Sequence, residues 1–171
     1  MQERVTKSQA TRLVALAADV ELFHTGEIAY TRVPVGTHHE VLGLRAAAFK
    51  RWLGRQSYQA SGAAPTAAAL QDALGVLESQ ALYDGPDRPI FTRVAEHDGD
   101  LYLDLGDPDW RAVRITSERW EVIADSPVMF RRARGLRPLP VPVQGKESLD
   151  DLRRFINVGL EDQHAWVLLL A

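Results

Sequence analysis

Cysteine is absent from the 171-residue sequence. That excludes disulfides, thiol catalysis and Cys-ligated zinc. Lysine is scarce as well: of the 20 basic residues 17 are Arg and 3 are Lys, the guanidinium being the side chain suited to bidentate phosphate contacts. A coding sequence rich in G and C would give the same bias, and it would also account for the many alanines. No run reaches the ~18 apolar residues that spanning a bilayer takes. Residues 1–12 are polar and lack the apolar core of a secretory leader, so a cytoplasmic protein is expected. Neither charge sign dominates. With a net charge of −3 and a pI near 5.9, any attraction to nucleic acid must come from a local patch.

What is present suffices for a core. Hydrophobic residues are 46% of the chain and charged residues 25%, the make-up of an ordinary globular protein of one domain or one and a half. Leu13, Leu16, Ala17, Val20 and Phe23 recur at helical spacing, predicting a helix over 8–23 with Ser8 as its cap. Residues 27–35 alternate and 38–45 follow as a second strand, a β-hairpin. Helices are predicted over 46–60, through Phe49, Trp52 and Leu53, and over 66–82, through Leu70, Ala73, Leu74 and Leu77. From 89 the period changes. Phe91–Ala95, Leu101–Leu105, Ala112–Thr116 and Trp120–Ala124 are short strands separated by Asp98-Gly99, Asp107-Pro108 and Ser117-Glu118, which predicts an antiparallel meander. Val128–Arg132 offers a fifth strand, closing the meander over 89–132.

The expected class is therefore α+β: a helical N-terminal half carrying a β-hairpin, then the meander, then short C-terminal helices. The expected domain is 1–134. Residues 135–147, with three prolines, read as an extended connector. Residues 148–171 read as the helical start of a further domain, with Ser148 capping and Asp151 forming a weak capping box. The uncharged end Ala165-Trp166-Val167-Leu168-Leu169-Leu170-Ala171 is expected to continue into more chain that packs it.

Three candidate chemistries fail on spacing or on a missing residue type. Asp98, Asp100, Asp104, Asp107 and Asp109 resemble a metal cluster, but Asp100 and Asp104 on one strand face lie about 13 Å apart at ~3.3 Å per residue. They read as solvated turn and strand carboxylates, and no metal site is assigned. His38-His39-Glu40 places His38 and Glu40 on one strand face, yet the deaminase pattern also needs a C-x-x-C that a cysteine-free chain lacks. Gly145-Lys146-Glu147 has Glu where a phosphate loop needs Ser or Thr. No catalytic residue and no cofactor is assigned.

Two basic clusters remain: Arg45, Lys50, Arg51 and Arg55, and then Arg131, Arg132, Arg134 and Arg137, with Trp52, Tyr58 and Phe130 nearby. Cations beside stacking rings hold single strands without reading sequence. The helix pair over 46–82 followed by a meander has winged-helix spacing. Its second helix, however, carries no Lys or Arg, which argues against reading a groove.

Several separated phrases carry a resemblance: Glu21–Tyr30 (ELFHTGEIAY), Phe49–Leu53 (FKRWL), Ala69–Leu74 (ALQDAL), Val94–Gly106 (VAEHDGDLYLDLG), and Arg131-Arg132 with Gly135–Pro140 (GLRPLP). Across residues 20–160 the chain resembles the region just before the ATPase core of phage- and plasmid-type primase/helicase ATP-binding proteins. The resemblance implies a setting in DNA replication or a mobile element, with a downstream ATPase domain in the same polypeptide. None of the phrases is a catalytic motif, so no ATPase residue is carried over. The expected role is a non-catalytic accessory domain that holds or positions DNA, single strands first, with a homo-oligomeric ring as an expected assembly. Its phosphate contacts would be Arg131, Arg132, Arg134 and Arg137, then Lys50, Arg51, Arg55 and Arg45. A structural collar or protein-interaction module without DNA contact is the alternative. An enzyme using His38, Glu40 and nearby acids is a third, which requires those groups to meet in one pocket.

Overall fold

The computed structural model describes residues 7–145. The chain divides into two compact units, Met1–Pro140 and Val141–Ala171. The fold below is that of the first unit. The helices expected after residue 147 lie outside the described residues.

Helix α1 spans Gln9–Leu16 and is capped by Ser8, whose Oγ accepts the Thr11 amide at 3.1 Å. It ends seven residues before the sequence pattern predicts. The apolar residues after Ala17 belong to strand β1, Glu21–Thr25, which pairs antiparallel with β2, Ile28–Val35, placing Phe23 opposite Tyr30. Gly26, at φ 56°, provides the left-handed residue that the two-residue hairpin loop requires. Strand β3, His38–Gly43, completes a three-stranded sheet in the order β1-β2-β3. The predicted hairpin 27–35/38–45 is therefore present, with one more strand than expected. Pairing wins at residues 21–25 because Leu22 and Phe23 face opposite sides of the sheet and each side is covered.

Helix α2, Ala47–Ser61, and helix α3, Ala67–Tyr83, match the sequence prediction closely. They pack on one face of the sheet through Phe49, Leu53, Leu74 and Leu77 against Ala29, Val33 and Leu44. The opposite face carries Phe23, Tyr30 and Val41 against Met129 and Ile90. β2 is thus buried on both sides, which is why its alternation is incomplete in sequence.

The four-stranded antiparallel meander consists of β5 (Val94–His97), β6 (Asp100–Asp104), β7 (Ala112–Ile115) and β8 (Trp120–Ile123), in sequential order. Two details differ from the expectation. The predicted strand Phe91–Ala95 splits into β4, Ile90–Phe91, and β5. Asp104 N donates to Arg93 O at 2.8 Å and the Arg93 guanidinium donates to Asp104 O at 3.1 Å, so Arg93 holds the break between them. The fifth strand shrinks to β9, Met129–Phe130, and leaves the meander to pair in parallel with β4. One face of the meander is closed by Ala95, Tyr102 and Ala112 against Val128 and Phe130.

Residues 131–145 contain no helix or strand. Leu139 N donates to Leu105 O at 2.7 Å, so the proline-rich stretch is tied to the end of β6. Among the described residues no helix is long and apolar enough to cross a membrane.

Candidate nucleic-acid interface

An open groove of about 670 Å³ lies where β2 begins and β3 ends. Tyr30, Leu42 and Ala48 are among its walls, and Arg45, Arg131 and Arg134 line it. Residues from both basic clusters, distant in sequence, therefore meet in one place. Each arginine has a different status there.

Arg45 precedes the first turn of α2. Its Nε donates to both carboxylate oxygens of Glu78 on α3 at 3.0 Å, and a terminal nitrogen reaches Gln71 Oε1 at 3.4 Å. The bond from Arg45 holds the Glu78 carboxyl below its ordinary range and raises the guanidinium in turn, while burial opposes both shifts. Arg45 is a closed ion pair, although its side chain stays half exposed.

Arg132 forms part of the groove wall, but its guanidinium is turned inward. Nε donates to Asp104 Oδ2 at 3.0 Å and a terminal nitrogen to Asp104 Oδ1 at 2.6 Å, a bidentate pair, and the other terminal nitrogen donates to Asp107 O. The arginine side chain is 13% exposed and that of Asp104 2%. The guanidinium carbon lies 4.0 Å from the centroid of the Trp110 ring, a cation–π contact. Trp110 has φ 56°, unusual for a bulky residue, and its other neighbour is the His38 ring, with centroids 6.3 Å apart. Arg132 is therefore an internal anchor, its guanidinium committed to Asp104 and to the Asp107 carbonyl and largely turned away from solvent. Arg132, expected from the sequence as a surface contact, is thus an internal residue because the buried Asp104 carboxylate captures it.

The same cluster corrects the reading of the acids. Asp104 and Asp107 are buried, not solvated. Burial, the largest single effect, pushes the Asp107 carboxyl up. The Arg111 amide and guanidinium that donate to it, with the positive charges of Arg111 and Arg132, together outweigh burial and hold it below the ordinary range. Asp100 pairs with Arg114 at 2.6 Å. Among the described residues no three His, Asp or Glu side chains are arranged to hold a metal ion. His38 Nε2 and Glu40 Oε1 are 3.3 Å apart, on one face as expected, whereas His39 faces Asp125 at 3.9 Å on the other. The neighbouring buried acids, Asp104 and Asp107, are bonded to arginines rather than aimed at His38.

Arg131 and Arg134 are exposed, line the groove and make no ion pair among the described residues. Arg137 is exposed but does not line the groove, and its backbone oxygen accepts from Arg93 at 2.9 Å. On α2, Ala48 lines the groove and Arg51 and Arg55 follow at three and then four residues, one row on a helix surface. Lys50 sits off this row and is half-buried. Tyr58 lies three residues past Arg55 and is 62% exposed, a free ring beside two cations. The other aromatics named with these clusters are engaged. Trp52 Nε1 donates to Pro34 O at 3.2 Å while its ring stacks on Phe49, and Phe130 is core.

The site thus comprises Arg131 and Arg134 on the groove, Arg51 and Arg55 on the adjoining helix row, and Tyr58 at its end. Sequence reasoning missed Asp104 and Trp110, which hold Arg132 and hence the 131–134 segment. The available signal was Asp104 on the same strand face as Tyr102, which is the buried face of β6. In comparisons with protein-family models, curated proteins and solved structures, nothing matches this chain.

Proposed function

We propose that this chain is a non-catalytic accessory domain that binds single-stranded nucleic acid along the groove and the adjoining face of α2. The observation that carries the proposal is the convergence of Arg131 and Arg134 with the row Ala48, Arg51 and Arg55, ending on exposed Tyr58. Phosphates would run past the guanidinium groups and a base would stack on the tyrosine ring, an arrangement indifferent to sequence. The anchor of Arg132 on Asp104 holds Arg131 and Arg134 without supplying a contact itself. The resemblance of residues 20–160 to the region before a primase/helicase ATPase core supports a replication setting, with a motor in the same polypeptide as the natural partner.

The test is fluorescence anisotropy of a labelled oligo-dT at two salt concentrations. The double variant R131Q/R134Q should flatten the dependence of log K on log salt by about 1.4, since each phosphate contact on a single strand contributes roughly 0.7 to the slope. Tyr58→Ala should weaken binding by about 1–3 kcal/mol without changing the slope. Absence of binding at low salt would reject the proposal.

A second reading has its own support. The cross-strand partners Leu101, Ile115 and Trp120 lie on one face of the meander, with Val94 on the same face, and all four are exposed. An apolar sheet face of this kind suits a collar or protein-interaction module. That reading gains if Leu101→Lys abolishes co-purification with the motor domain while DNA binding persists.

A further inference from the structure

A second groove, of about 630 Å³, lies between α1 and the C-terminal end of α2 and shares no lining residue with the basic groove. Its floor is Leu13, Leu16 and Ser57, with small side chains, Ala15 and Ala60 among them, on the walls and Lys7 and Arg12 at the rim. No acid lines it. Two of its polar side chains are engaged: Gln9 Oε1 accepts from the Thr66 amide and hydroxyl at 3.1 Å, and Ser61 Oγ donates to Ser57 O at 2.8 Å.

Three are not. Ser57 is 7% exposed and its hydroxyl has no hydrogen-bond partner among the described residues, yet it opens onto the groove rather than being sealed like that of Thr31. Lys7 and Arg12 make no ion pair among the described residues, and both are exposed. The Ser57 hydroxyl, open to the groove, is free to meet a polar group of a ligand. Two cations and a hydroxyl around an apolar floor are complementary to a ligand with one anionic head and an apolar tail. The volume is that of a small-molecule site. A partner helix fits poorly, because α1 has eight residues and is only about 12 Å long.

We propose that this groove binds a small amphiphilic carboxylate, with the acyl chain over Leu13 and Leu16 and the carboxylate between Arg12, Lys7 and the Ser57 hydroxyl. Isothermal titration of the full chain with decanoate, kept below micelle formation, tests it, with decanol and butyrate as controls. One saturable site is expected, with decanol about tenfold weaker because it lacks the charge-assisted contacts, and butyrate silent because it lacks the tail. Ala60→Trp, at an exposed position, should abolish binding by filling the groove. Arg12→Glu should weaken it about tenfold or more by reversing the rim charge. Ser57→Ala should weaken it several-fold. Decanol binding as tightly as decanoate, or decanoate affinity unchanged in both A60W and R12E, overturns the proposal, as does absence of decanoate binding. Circular dichroism of each variant verifies the fold, and R12E decides the matter if A60W unfolds.

Discussion

Single side chains account for two of the sharpest expectations. Thr31 lies at the centre of β2, fully buried, and its hydroxyl has no partner among the described residues. Its cross-strand neighbours are Leu22 and Leu42, both apolar. Thr31→Val keeps the shape and removes an unmet hydroxyl, so the variant should be more stable by about 1 kcal/mol, read as a higher urea midpoint at unchanged m-value. Arg132 predicts the reverse. Arg132→Ala leaves the Asp104 carboxylate buried without its partner, and loss of one member of a buried pair costs about 3–5 kcal/mol. DNA binding by any R132A that still folds at low temperature should keep its salt slope, which separates the anchor from the contacts Arg131 and Arg134. The sequence did not reveal this difference among neighbouring arginines. Whether a guanidinium faces water or a carboxylate 28 residues away depends on where the backbone turns after β9.

Among the elements, the helices were legible and the strand pairings less so. α2 and α3 carry complete apolar rows and stops, and α3 has a cap: Thr66 Oγ1 accepts the Ala69 amide at 3.2 Å. That hydroxyl also donates to Gln9 Oε1, joining α3 to α1. Thr66→Ala should therefore cost about 1–2 kcal/mol, the upper part of the range for a cap, measured by chemical denaturation. Gly85 follows α3 where an added Cβ would sit 2.5 Å from Ala81 O and 2.9 Å from Leu22 O. Backbone atoms on both sides cannot yield, so Gly85→Ala should lower the melting temperature by several degrees in a domain of this size. The predicted N-terminal helix ran too long for a reason visible in hindsight. Leu13, Leu16, Val20 and Phe23 satisfy a helical period, but Leu22 and Phe23 also satisfy a strand buried on both faces. A short apolar run alone does not distinguish the two. The parallel pair β4–β9 was illegible because its strands have two residues each and lie far apart in sequence.

At the largest scale, several carboxylates among the described residues are held in pairs with arginines. The Glu78 and Asp107 carboxyls both lie below their ordinary values of 4.5 and 3.8 in the folded state. A lowered folded value means the contribution to stability is complete above those ordinary values and is lost as pH falls through the lower folded ones. Melting temperature should therefore hold from neutral pH down to about pH 5 as far as these two groups are concerned, then fall in acid. The double variant Glu78→Gln, Asp107→Asn should show a shallower acid limb. The amino-acid order by itself determined the α+β class, the helix pair, the hairpin and the antiparallel meander, because each rests on a local period and on turn residues such as Asp98 and Gly99. Only the tertiary structure decided which arginines are exposed, that both basic clusters reach one groove, and that Asp104 and Trp110 hold Arg132. Those outcomes depend on contacts between residues remote along the chain, where burial and pairing outweigh local preference.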